Sequence, residues 1–399
     1  MTVEIRQATE EELAEQQQVL GYVFANTSIG GEAPPFTLRP EWSMCAFVDG
    51  KMATSGGAWP FRVRLNGTSV AMAGVTMVGT LPEFRRQGLL RQVMGKLLSD
   101  ARDNGQAIAI LWASMGAIYQ RYGYGLASSF VTYDVDPREI LFAAGEPATG
   151  RVRITPREEA QPINEAIYKE FNRPRNLLIQ RAPAMWAAHY QEQGSKLQFG
   201  VYDNAAGETT GYVVFGLQQD SGVPGRGQKI SVNDWAALDA DAYRGIWEFF
   251  ASHDLVGRVE WQRVPPDDPA PLLFLEPGRL SQRTHDAIWM RITDVEAALP
   301  QRPYGDADAV TLGIRDQMCP WNEGTYVLET TGEATQVTKV ATDADLTMPA
   351  ASLAVLVSGH RSATTLARAG LLDAGNPKAL DKADRLFATR YAPWCNDGF

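Results

Sequence analysis

Val75-Thr76-Met77-Val78-Gly79-Thr80-Leu81-Pro82-Glu83-Phe84-Arg85-Arg86-Gln87-Gly88-Leu89-Leu90-Arg91 is the stretch on which the reading of this chain turns. It opens as an apolar run that reads as a strand ending near Thr80, passes a proline, and enters a segment in which Leu89, Leu90, Val93, Met94, Leu97, Leu98 and Ala101 recur at helical spacing. A strand running into a helix start presents free backbone N–H groups and the positive end of the helix dipole, which together suit an anion. Gly88 removes a Cβ where such an anion must come close, and Arg85, Arg86 or Arg91 can add charge and paired hydrogen bonds. A helix start with solvated arginines would have the same sequence.

Upstream, Val3–Arg6 reads as a strand, and Thr9 or Glu10 opens an acidic first helical turn. Met44–Asp49, a Gly50-Lys51 turn and the run beyond form one hairpin; Asn66-Gly67 between Phe61–Leu65 and Ser69–Val78 marks a second. Downstream, Asn104-Gly105 ends the helix and Ala107–Ala113 reads as a buried strand, so the first part is an α/β sheet with a central crossover. From Arg151 the logic repeats, with helices over Ile163–Phe171 and Ala184–Gln193 and strands over Leu197–Tyr202 and Tyr212–Leu217. Laid at constant spacing, Val75, Leu81 and Gly88 fall on Val232, Leu238 and Gly245, and Leu89 falls on Ile246. Ala242-Tyr243 stands where the first copy has Arg85-Arg86, which points to a duplicated fold whose second copy has lost its ligand charges. A third part from Ile288 carries strands at Thr325–Thr330 and Ala334–Thr338, helices at Pro349–Val357 and Lys378–Thr389, and a tail, Trp394 to Phe399, whose aromatics suit docking.

The chain has 399 residues, enough for a core in each part. Lys plus Arg total 37 against 47 Asp plus Glu, a net charge of −10, which argues against nucleic acid as a partner and favours cationic ones. Cys45, Cys319 and Cys395 show no paired spacing, and His189, His253, His285 and His360 form no zinc pattern with them, so neither a disulfide framework nor a metal site is expected. Met1 to Gln18 carries five acids and no apolar segment, and no stretch nears the ~20 apolar residues of a spanning helix. The expectation is a cytoplasmic protein without membrane contact. Gly222–Gly227 lacks the Lys-Ser/Thr ending of a phosphate loop and reads as a solvated turn.

Arg85-Arg86-Gln87-Gly88-Leu89-Leu90 after an apolar strand resembles the acetyl-CoA signature of the GNAT acetyltransferase superfamily. The resemblance implies that the backbone of Val78, Gly79 and Thr80 pairs with the pantetheine amides and that the turn from Arg85 through Gln87, Gly88, Leu89 and Leu90 to Arg91 takes the phosphates. It adds Ser114 and Met115 to the cofactor site. In Ser114-Met115-Gly116-Ala117-Ile118-Tyr119-Gln120-Arg121-Tyr122-Gly123-Tyr124, Tyr119 matches the tyrosine that faces the CoA thiol in these enzymes. A phenol with an ordinary pKa of about 10 is protonated at neutral pH and can donate to a departing thiolate. Tyr122 and Tyr124 compete for that role, with packing around the glycine turn as their alternative.

Over its whole length, and again at His360-Arg361-Ser362-Ala363-Thr364-Thr365-Leu366-Ala367, the chain resembles the enhanced intracellular survival (Eis) family of acetyltransferases. That resemblance implies an α/β (α+β) architecture of two tandem GNAT-like domains, the second degenerate, followed by a sterol-carrier-protein-like domain, here 1–150, 151–287 and 288–399. It implies a homohexamer, acetyl-CoA as co-substrate, an amine acceptor (aminoglycoside, polyamine or lysine side chain), and a general base supplied by the terminal carboxylate, which in this chain is that of Phe399. Phe24, Asn26, Phe36 and Trp42 are the expected pocket residues. Gly398 and Asn26 stand where some relatives have acids, with Glu32, Glu41 and Asp397 as replacements. No nucleophile motif surrounds the cysteines, so direct transfer is expected. An acetyl-CoA-binding regulator without turnover and a carrier of apolar ligands in the third part are the rival readings.

Overall fold

A computed structural model of the chain describes residues 2–25, 38–143, 145–191, 196–305 and 307–399. The first sheet orders its strands Val3–Arg6, Cys45–Val48, Lys51–Leu65, Thr68–Thr80, Ile108–Trp112, Ile288–Ile292 and Gly125–Leu126. Its hairpins turn at Asp49-Gly50 and Asn66-Gly67, where all four residues have positive φ. The first of these lies one residue before the expected Gly50-Lys51, because a two-residue turn of this hand needs positive φ at both centres, which Asp and Gly tolerate better than Lys.

Two departures from regular pairing shape this sheet. Thr68–Thr80 and Ile108–Trp112 run parallel only as far as Gly74 opposite Ile110, after which the first strand continues alone on that side to Thr80. On its other side the register shifts between Ser55 and Gly57, so that Met77 and Val78 bulge, Met77 at a φ of 54°. The helix Leu89–Asp103 then packs Leu89, Val93, Met94, Leu97, Leu98 and Ala101 against Ala73 and Val75, the face read from its spacing. It starts later than the sequence suggested. Pro82–Phe84 forms a separate 3-10 turn, and Gly88, at a φ of 81°, is the N-cap.

The second sheet runs Arg283–Asp286, Ser129–Val135, Val256–Val264, Gln228–Ala237, Thr209–Gln219, Leu197–Asp203, Arg151–Thr155. Strand Gln228–Ala237, helix Ala240–Ala251 and strand Val256–Val264 repeat the first unit, and their parallel ladder stops at Val232 opposite Trp261. The echo of Gly88 in Gly245 is a coincidence of sequence. Gly245 lies inside its helix, where a Cβ would stand 2.2 Å from the Tyr202 ring. The helix begins instead at Asp239, whose carboxylate accepts from Ala242 N–H at 2.7 Å, and Asp241 sits in its first turn. Negative charge thus already occupies the end that in the first unit is open.

Ser129–Val135 precedes Arg151 yet belongs to the second sheet, and Ile288–Ile292 returns to the first. The third sheet, Thr335–Val340, Gly324–Thr330, Asp308–Arg315, Leu346–Pro349, Asp373–Ala374, shares one apolar core with the first: Val63, Met72 and Ile110 join Met290, Leu312, Met348, Leu353 and Leu356. Buried Arg302 donates to the carbonyls of Val357, Leu386, Phe387 and Ala388, closing the ends of helices Ala350–Ser358 and Pro377–Leu386.

Candidate active site

The parting of strands beyond Gly74 opens a cleft of about 700 Å3 along the edge Val78–Thr80. At one end lies the helix start. Gly88 makes no side-chain cap and no acid occupies the first turn, so the leading N–H groups stay available to an anion. A Cβ on Gly88 would meet nothing within 4 Å, so its positive φ and not crowding calls for glycine there. Arg86, itself at a φ of 62°, and Arg91 line this end with Leu89 and Leu90. Arg85 also lines it but donates to the Thr80 carbonyl at 3.0 Å, bracing the turn. Gln87 does not join them: its amide folds back to the Glu83 carbonyl at 3.1 Å.

The bulge contributes Val78 to the cleft. Ser55 Oγ donates to the Met77 carbonyl at 2.8 Å and accepts from buried Gln16 Nε2 at 3.1 Å, which fixes where the neighbouring Val78 N–H points. Ser114, Met115, Tyr119 and Tyr122 also line the cleft, as does exposed Phe24. Tyr119 is carried by the short helix Gly116–Gln120 and is 6% exposed; burial pushes its phenol up to about 12, so it is an acid that holds its proton. Tyr122 is raised in the same direction for the same reason. Tyr124 is fully buried, stands edge-on to Tyr119 and does not line the cleft.

The sheet's other face carries a second group of predicted residues. Along the Thr68–Thr80 strand Ala73 and Val75 face the helix, whereas Met72 faces the core that Phe399 packs against. The Phe399 ring stands edge-on to Phe61 at 5.3 Å and lies 3.3 Å from where a Gly74 Cβ would be. Trp42 meets Trp59 at 5.4 Å, and Trp59 stacks on Phe61 at 6.2 Å, making an aromatic wall that ends at Phe399. Trp112, on the diverging strand, donates from its indole to the Asp397 carbonyl at 2.8 Å. Trp42 therefore belongs to this face and Phe24 to the cleft. Asn26, Glu32 and Phe36 lie outside the described residues.

Of the acids named as replacements, Asp397 is committed elsewhere. Its carboxylate accepts from Arg181 at 2.6 Å and Tyr168 at 3.2 Å. Glu41 is exposed, 3.7 Å from Arg39. Gly398 is exposed, with the Arg263 guanidinium 3.5 Å from its would-be Cβ, a position where an acid would be paired at once. All three cysteines are buried, and burial pushes Cys45 and Cys319 up to about 11 and Cys395 further, which disfavours the thiolate a covalent route needs.

A sequence model described as an acetyltransferase (GNAT) domain matches residues 4–127, a second of the same description matches 177–292, and a sterol carrier protein domain matches 295–396. The chain is 32% identical over 390 residues to an uncharacterized N-acetyltransferase of Streptomyces avermitilis, spanning 93% of this chain and 95% of that one. It is 28% identical to the N-acetyltransferase Eis of Mycobacterium tuberculosis over 87% of this chain and 89% of the other. The crystal structure of Eis1 from Mycobacterium abscessus superposes with a TM-score of 0.86 at 27% identity, covering 99% of this chain and 100% of its own. The chain belongs to the Eis family of GNAT N-acetyltransferases. A GCN5-related N-acetyltransferase from Anabaena variabilis shares the fold at a TM-score of 0.88 and 23% identity. Membership makes it an acyltransferase with acetyl-CoA as the implied co-substrate, and the free strand edge, open helix start and glycine N-cap suit that molecule's amides and phosphates. Among the described residues no group of three or more His, Cys, Asp or Glu could hold a metal ion, and no helix is long and apolar enough to cross a membrane.

Sequence reasoning missed Gln16, Ser55, Trp112, Arg181 and Arg263. Ser55 could have been suspected from its place opposite the motif strand; the others sit in unremarkable local contexts, and their partners lie far along the chain.

Proposed function

We propose that the enzyme transfers the acetyl group of acetyl-CoA directly to a primary amine, of a small polyamine or aminoglycoside or of a lysine side chain, with Tyr119 as general acid and the Phe399 carboxylate as general base. Residues 1–150 would then supply the donor site, 151–287 the degenerate copy and 288–399 the part that delivers the chain end. The observation that supports this reading is the use of one strand by both groups: the cleft, lined by Leu89 of the helix, runs along Val78–Thr80 on the edge left free beyond Gly74, and the Phe399 ring packs at Gly74 on the face away from the helix. Val78, Gly79 and Thr80 offer the pantetheine amides an edge that no strand covers, with the Thr80 carbonyl already held by Arg85, and Arg86, Gly88 and Arg91 offer charge and N–H groups to the phosphates.

The acceptor arrives as ammonium, since an alkylamine has a pKa of about 10. The Phe399 carboxylate takes a proton from it, directly or through a water. A carboxylate with an ordinary pKa of about 3.5 is a weak base in water, and a desolvated setting strengthens such a base. The freed amine attacks the thioester carbonyl, which in this reading the Val78 N–H polarises, on the peptide whose Met77 carbonyl Ser55 holds. Tyr119 gives its proton to the departing thiolate, and the second ammonium proton, lost from the attacking nitrogen as the amide forms, restores the phenol; its high pKa keeps it loaded at neutral pH.

The test is a CoA-release assay with spermidine and an aminoglycoside, on a chain lacking Phe399 and on Tyr119→Phe. Each change lowers kcat by about 100-fold, within the range for a lost general acid or base, and leaves the KM for acetyl-CoA near wild type. Unchanged turnover without Phe399 removes the terminal carboxylate from the mechanism. The same loss in Tyr122→Phe but not Tyr119→Phe transfers the acid role.

A further inference from the structure

The degenerate copy parts its parallel strands as the first copy does, and the C-terminal tail lies across that gap. Beyond Val232 and Trp261 the strands separate, one bearing Asp234 and the other Arg263. Asn396 joins them: its amide donates to Asp234 at 3.1 Å, and its carbonyl accepts from the Arg263 guanidinium at 2.9 Å. Trp394 donates from its indole to the Arg263 carbonyl at 2.8 Å and packs against Trp235. Arg263 holds this contact at a φ of 53°, a left-handed conformation that a non-glycine residue keeps only when its surroundings impose it.

Behind the tail is a fully buried ionic cluster. Arg181 donates to both oxygens of Asp234, at 2.7 and 3.0 Å, and to Asp397 at 2.6 Å. Tyr212 donates to Asp234 at 2.8 Å and Tyr168 to Asp397 at 3.2 Å, while His189 stands 3.3 Å from Asp234. Burying one cation and two carboxylates is costly for stability alone, and such groups are tolerated when every partner is held in one geometry. Two residues after Asp397 comes Phe399, and Trp112 of the first copy grips the carbonyl between them.

We infer that the second GNAT copy serves as the receptor for the chain's own C-terminal tail, with Arg181 the positioning residue that, through Asp397, fixes where the chain end stands in the acetyl-transfer site. Its kinetic consequence rests on the terminal-carboxylate reading above; its structural content does not.

Full-length Asp397→Asn is the primary test, because it leaves the bidentate Arg181–Asp234 pair in place and so spares the second sheet; Arg181→Lys is the companion. Trimming of the C-terminus by carboxypeptidase, followed by mass spectrometry, reads the seat without reference to catalysis. Both variants lose the terminal residues about tenfold faster than wild type, as proteolysis follows the population of the open form, and Asp397→Glu recovers part of the resistance. In steady state kcat falls on the order of 100-fold, the cost of a catalytic group displaced by an ångström, with the KM for acetyl-CoA unchanged. Adding Asp397→Asn to a chain already lacking Phe399 lowers kcat no further. Equal trimming rates in wild type and Asp397→Asn overturn the inference. So does an undiminished kcat effect in the chain without Phe399, because Asp397 would then act by another route. Faster trimming with unaltered kcat upholds the seat and removes the terminal carboxylate from the mechanism.

Discussion

Asp268 and Tyr119 show one physical effect put to two ends. Asp268, in the core of the second copy, accepts from Tyr133 at 3.0 Å, Tyr243 at 2.5 Å and the Ala270 N–H at 3.1 Å, all through one oxygen; among the described residues its other oxygen has no partner. Burial pushes its carboxyl up to about 6. Between its ordinary value and about 6 the folded protein therefore holds a proton that the unfolded chain releases, so this residue costs stability increasingly as pH rises through that window. Asp268→Asn keeps the accepting oxygen and removes the charge. It raises the unfolding free energy by about 2 kcal/mol at pH 8 and gives no gain at pH 4, measured by denaturant titration at both values. In Tyr119 the same desolvation lifts a phenol to about 12, where it secures the protonated form that the proposed acid role needs. An alkaline loss of activity well below that value would have to come from another group.

The two strand–turn–helix elements share a path and differ in the charge at the helix start. In the first, Gly88 leaves the N–H groups open beside Arg86 and Arg91; in the second, Asp239 fills the cap and Asp241 accepts from Thr149 N–H and the Tyr202 hydroxyl. Moving that difference between the copies tests it. Gly88→Asp introduces a residue that both caps helices and tolerates positive φ, so the fold persists, yet the KM for acetyl-CoA rises about tenfold or more as carboxylate meets phosphate, while Gly88→Asn, without the charge, gives a smaller rise. Equal effects of the two would assign the position to shape. This element was legible in sequence because its signals are local: an apolar run, a proline, a glycine and seven apolar residues at helical spacing. The Asn66-Gly67 hairpin was legible for the same reason. Gly245 misled because a helix start is set by its cap, here Asp239, and not by a matching glycine. Ile288–Ile292 read as the opening of the third part because a strand buried on both faces carries no mark of the sheet that takes it. The Arg181–Asp397 pair joins positions that no period or spacing relates, so nothing in the sequence announced that Asp397 was spoken for.

At the scale of the molecule, the three matched regions are not three separable bodies. Ile288–Ile292, the last residues of the second matched region, lies in the first sheet between Ile108–Trp112 and Gly125–Leu126, and helix Ala350–Ser358 packs on it and on the neighbouring strand, where a Cβ on Gly125 would stand 2.1 Å from the Ala351 carbonyl. Ile288, Met290 and Ile292 are fully buried in the core that the first and third sheets share. Removing them forfeits about 1.5–3 kcal/mol of burial per side chain, against a typical net stability of about 5–15 kcal/mol, before the exposed edge of Ile108–Trp112 is counted. A chain ending at Ala287 keeps every residue that lines the donor cleft and nonetheless lacks the strand that completes its sheet. Expressed alone, it fails to bind acetyl-CoA in calorimetry and shows the exposed apolar surface of an incompletely packed state, whereas the full chain binds. Binding by the truncated chain with wild-type affinity would mean that the first sheet closes without the returning strand, and the coupling of donor site, receptor copy and tail into one unit would lose its structural basis.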